Sequence, residues 1–77
     1  MELPLSELSS GKTGRIIRLE RGWGFQRNLR LRGIREGNIL KVIASYPLRG
    51  PIVVEVDGRE ITVGRGMASG IIVEIVE

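Results

Sequence analysis

Residues 22–37 read GWGFQRNLRLRGIREG, and the way this stretch folds decides the architecture. It holds four arginines together with the chain's only tryptophan and only phenylalanine. Read with period two, Leu29 and Leu31 share one face and Arg30 and Arg32 the other, which would make a strand. Read with period 3.6, Phe25 and Leu29 lie one turn apart and Leu31 points away from them. Arginine, leucine and glutamine favour helix, and no β-branched residue occurs before Ile34. Gly33 suits the left-handed position just past a helix, with Ile34 as its packing partner. The spacing therefore predicts a short helix over about 25–32, with Leu29 buried and Leu31 exposed between arginines.

On either side of this stretch the signals are those of strands. KTGRIIRL (12–19) is β-branched and follows Gly11. NILKVIAS (38–45) alternates, with Leu40, Val42 and Ala44 on one face and Ile39, Lys41 and Ile43 on the other. PIVVEV (51–56) groups Ile52, Val54 and Val56, and its Pro51 stands at the first residue, where a strand tolerates it. Asp57-Gly58 supplies the two positive-φ positions of a tight hairpin, from which REITV (59–63) returns. GIIVEIV (70–76) closes the series with Ile71, Val73 and Ile75 on one face. The expected fold is mainly β: a small five-stranded SH3-like barrel with one short α-helix between the first two strands. All 77 residues are expected to form a single domain.

Composition excludes much chemistry. With no His and no Cys, the common metal ligands, the usual general base and a thiolate nucleophile are all missing. Glu55, Asp57 and Glu60 gather around one turn, but a hard cation needs more converging oxygens than that, and D-G is a hairpin signal in its own right. No catalytic residue, cofactor or metal site is expected. No apolar run approaches the roughly 20 residues that cross a bilayer, so a soluble, cytoplasmic protein is expected. Charge is uneven: from Lys12 to Lys41 there are nine basic and two acidic residues, whereas the whole chain carries only +3. One side should be electropositive and attract phosphates, anionic lipid heads or an acidic protein surface.

LPLSEL, GKTGRI, a glycine-bearing turn, then Leu29, Gly33, Ile34 and Gly37 at the helix end, are followed by YPLRGPIVVEVDG and a closing IIVE. The most specific piece is Pro47, Leu48, Gly50, Pro51 and Ile52, with the Gly33 and Gly37 pair. In this order the motifs resemble the FeoA family. The resemblance implies an SH3-like barrel without catalytic activity, the small cytosolic component of bacterial ferrous iron uptake. Such proteins are thought to act through FeoB, a membrane transporter with a cytosolic GTPase domain, so this chain is expected at the inner membrane only through its partner. The same fold occurs as the C-terminal domain of iron-dependent repressors, and this chain is expected to be the stand-alone form. GRGMASG (64–70) departs from the family's more charged helical turn and is expected to be looser.

The partner-binding candidates are Trp23, Arg27, Arg30, Leu31, Arg32 and Arg35. Gly33, Gly37, Pro47, Gly50, Asp57 and Gly58 are expected to form turns and caps. Self-association is left open, and no nucleic acid is expected on this reading. The alternative is a KOW-like SH3 barrel that binds RNA or DNA through its basic patch, with Trp23 stacking on bases.

Overall fold

The computed structural model describes residues 1–76. Six strands form one antiparallel sheet: β1 (Glu2–Pro4), β2 (Thr13–Leu19), β3 (Ile39–Ser45), β4 (Ile52–Val56), β5 (Arg59–Val63) and β6 (Ile71–Val76). Their order across the sheet is β1-β6-β2-β3-β4-β5. Helix α1 (Trp23–Leu31) joins β2 to β3, and a four-residue helix α2 (Arg65–Ala68) joins β5 to β6. The expected five strands are all present, and ELP at residues 2–4 adds a sixth. It pairs with β6 through Glu2↔Glu74, Leu3↔Val73 and Pro4↔Ile72. Arg18 on β2 reaches across β6 and donates to the Glu2 carboxylate, so an ion pair anchors this short edge strand. Pro4 is tolerated because an edge strand leaves one row of N–H groups unused.

Two irregularities curl the sheet. Register shifts between Ile16 and Arg18 in the β2–β6 pair, and between Val42 and Ala44 in the β3–β4 pair. An extra residue at each point raises the local twist, and the sheet wraps around one core. That core contains Leu5, Leu8, Ile16, Leu19, Leu29, Ile34, Leu40, Val42, Ile52, Val54, Val56, Val63, Ala68, Ile71 and Val73. The expected inner faces of β3 and β4 are there, with Ala44 half-buried. Ile75 is the exception, being 42% exposed. It lies opposite Gly14, which offers no side chain to cover it at the open end of the sheet.

The two turns with the strongest sequence signals form as the chemistry requires. Asp57 and Gly58 have φ of 53° and 77° and join Val56 to its partner Arg59, which is the type I′ pattern of a two-residue hairpin. Gly37 has φ of 92° at the corner before β3, where its N–H donates to the Ile16 carbonyl at 2.7 Å.

GRGMASG is better ordered than expected. Ala68 N–H donates to Gly64 O at 2.9 Å and Ser69 N–H to Arg65 O at 3.2 Å, which is a closed helical turn. It is held from outside by Arg65. Its Nε donates to Gly50 O (3.1 Å), Nη1 to Ser6 O (3.3 Å), and Nη2 to Tyr46 O (2.7 Å) and Ser45 Oγ (3.2 Å). One guanidinium thus joins α2, the N-terminal 3-10 turn at Leu5–Glu7 and the loop between β3 and β4.

Candidate functional site

Helix α1 begins two residues earlier than the spacing suggests. Gly22 and Gly24 read locally as breakers, yet the first turn is secured by neighbours. Gln26 Nε2 donates to the Arg21 carbonyl at 2.7 Å, and the Arg21 guanidinium lies 5.4 Å from the Phe25 ring centre. Phe25 is half-buried and packs against the core. A Cβ at Gly70 would sit 3.2 Å from Phe25 Cζ, so the helix lies directly on the backbone that leads into β6.

The C-terminus is a Schellman motif. Gly33 N–H donates to Arg30 O at 3.0 Å and Ile34 N–H to Leu29 O at 2.9 Å, with Gly33 at φ of 92°. Leu29 and Ile34 are both fully buried. This end is what fixes the rotation of the helix. With Leu29 facing the core, Trp23, Arg27 and Leu31 fall on the opposite side at i, i+4 and i+8. Trp23 is 72% exposed and Leu31 78%. The Arg27 guanidinium lies over the Trp23 ring, 5.8 Å from its centroid, so the stripe is partly pre-ordered.

The remaining arginines divide into two groups. Arg30 Nη2 donates to Glu36 Oε2 at 2.8 Å and to Gln26 Oε1 at 3.2 Å. Arg32 Nη2 donates to the Thr62 carbonyl at 2.6 Å, covering the free edge of β5. Both side chains are half-buried and flank the stripe, engaged with their own protein. Arg27 and Arg35 are exposed and form no ion pair among the described residues. Sequence spacing could place these four arginines on a helix end but could not tell which would find a carboxylate or carbonyl at home.

The Arg30–Glu36 pair has a pH signature. The hydrogen bond from Arg30, followed by a backbone hydrogen bond, holds the Glu36 carboxyl below the usual carboxylate range. A carboxyl depressed on folding stabilises the fold above its unfolded pKa, and that contribution is lost as pH falls through the lower folded value. The pair is solvated, so it should contribute only about 0.3–0.5 kcal/mol near neutral pH. Wild type and Glu36→Gln should therefore differ by that amount in urea denaturation at pH 7 and converge as the pH falls through the lowered folded-state value of Glu36.

Among the described residues no three acidic side chains converge as a metal site would require. No helix there is long and apolar enough to cross a membrane. The turn and cap candidates lie at chain corners. Gly33 and Gly37 bracket the segment after α1, Asp57-Gly58 caps β4 and β5, and Pro47 and Gly50 bound a second tight turn.

Comparison with known proteins places this geometry. The FeoA domain profile matches residues 3–75. The chain belongs to the FeoA family. A relative from Methanocaldococcus jannaschii, provisionally named Fe(2+) transport protein A, is 34% identical over 74 residues, covering 96% of this chain and 88% of its own. A crystal structure of an iron uptake regulatory protein (FeoA) superposes with a TM-score of 0.92 at 30% identity, over 99% of this chain and all of that one. A manganese-dependent transcriptional repressor carries the same fold in 37% of its length, with a TM-score of 0.91 at 26% identity over 97% of this chain. This FeoA-family chain shares the SH3-like fold of those structures, with α1 on its outside.

Proposed function

We propose that this protein is a non-catalytic module that docks on the cytosolic side of a FeoB-type membrane transporter and adjusts its activity. The observation that carries the reading is the outer stripe of α1. A tryptophan and a leucine stand largely in solvent on a helix whose rotation is locked by Leu29 and the Schellman turn. Holding two large apolar side chains in water gives no folding stability, whereas aromatic and arginine anchors dominate protein interfaces. Arg27 and Arg35 supply charge for an acidic partner surface, and Arg30 and Arg32 frame it.

The nucleic-acid alternative has less support. Trp23 is the one exposed aromatic beside these arginines among the described residues, and Arg27 already lies over its ring. Phe25 is packed inward and offers no second stacking face.

The test is a Leu31→Gln variant. Its unfolding free energy from urea denaturation should match wild type to within about 0.5 kcal/mol, as for other surface changes. Its affinity for the detergent-solubilised transporter and its support of iron uptake should both fall. The wild-type association rate should also drop with added salt, because exposed charges act mainly on encounter. Full binding and uptake by the variant would overturn the proposal.

A further inference from the structure

The loop between β3 and β4 holds a conformation that its own residues oppose. Leu48 and Arg49 have φ of 58° and 61°, and Gly50 N–H donates to Pro47 O at 3.1 Å. This is the pattern of a type I′ turn, which glycine, asparagine and aspartate make readily. Here the central positions are leucine and arginine, whose Cβ atoms crowd the backbone in the left-handed region. The leucine is also 97% exposed, so no burial offsets the strain.

Other groups hold the turn in place. Arg65 binds the carbonyls of Tyr46 and Gly50, and Tyr46 N–H donates to Pro51 O at 3.1 Å. The approach is close enough that a Cβ at Gly50 would lie 2.9 Å from Tyr46 Cβ. A strained backbone that its surroundings over-determine is the mark of a segment kept for something other than stability.

Beside the turn lies an open cleft of about 500 Å³, lined by Ser6, Arg49, Arg65, Gly66 and Ser69. Two of those residues are cationic and none is acidic. Arg49 is exposed and takes part in no ion pair among the described residues.

We infer that this turn is a second docking element, in which Leu48 inserts as a knob into an apolar pocket of the partner and Arg49 meets a carboxylate on that pocket's rim. The inference rests on the reading of α1 as a docking helix and assigns the same transporter a second contact. The carboxylate rim follows from charge complementarity to a cleft that holds cations alone. The fit to a single apolar pocket follows from the shape: one leucine stands out on a turn too tight to present two.

Leu48→Asn separates docking from folding, because asparagine accepts the left-handed conformation that leucine resists. The expected melting temperature is higher than wild type, by about 2–5 °C for a chain of this size. The expected Kd for the transporter in nanodiscs is about tenfold weaker or more, as for loss of a buried anchor. Arg49→Gln should leave the melt unchanged and slow association, with a reduced salt dependence. Leu31→Gln is run in parallel. If Leu31→Gln weakens binding and Leu48→Asn does not, the second contact is wrong and the docking helix stands. If neither variant weakens binding, the docking helix falls with it. A lower melting temperature for Leu48→Asn would remove the strain on which the inference is built.

Discussion

Replacing Leu29 by alanine should destabilise the protein by about 2–5 kcal/mol, the range for deleting a buried leucine side chain beyond its Cβ. Leu29 is fully buried and its carbonyl accepts the Ile34 N–H of the Schellman turn, so the cavity opens where α1 is fastened to the core. A chain of this length is expected to have only about 4–11 kcal/mol of stability in all. The loss should lower the melting temperature by about 10 °C or more. Calorimetry or far-UV circular dichroism during heating reads it directly. The control is two residues away: Leu31, the same residue type on the same helix, should tolerate a polar replacement. A silent Leu29→Ala and a damaging Leu31→Gln would mean that the helix is rotated by half a turn from the position described.

Arg65→Met should be the second most damaging change, at about 2–3 kcal/mol. Methionine keeps much of the aliphatic stem but removes donors to three backbone carbonyls and one hydroxyl. A hydrogen bond from a charged donor contributes roughly 1.5–3 kcal/mol, but this half-buried site admits water, so the four do not add in full. The loss should be regional. Amide exchange of Tyr46 and Gly50, whose N–H groups close the strained loop, should accelerate more than that of β2 and β6. Arg65→Lys should restore less than half of the stability, because an ammonium on a flexible stem cannot reach acceptors spread around a planar fork. Equal exchange across the sheet would show that Arg65 does not hold this loop in particular.

Both changes act on residues whose weight differs in its legibility. Leu29 is readable in advance, because Phe25, Leu29 and Gly33 carry a helical period and its terminator within nine residues. Arg65 is not. Its acceptors lie at residues 6, 45, 46 and 50, and no pattern around residue 65 refers to them. The same distinction runs through the candidate site. The exposure of Leu31 follows from its angle to Leu29. The engagement of Arg30 with Glu36, and of Arg32 with the Thr62 carbonyl, depends on where the chain returns after the helix.

By itself the sequence determined whatever is local and periodic. Alternation set the inner faces of β3 and β4, Asp57-Gly58 set the hairpin, and the absence of His and Cys withheld the usual groups for metal and acid–base chemistry. These follow from backbone geometry and side-chain chemistry within a few residues. Only the tertiary structure decided that ELP at residues 2–4 becomes a strand, that Ile75 emerges opposite Gly14, and that Leu48 is held in a left-handed turn. Each depends on a partner distant in the chain: β6 for the edge strand, a glycine across the sheet for the isoleucine, and one arginine for the loop. A local pattern records what a segment can become. The free energy that selects one outcome is supplied by contacts that exist only after the sheet has curled.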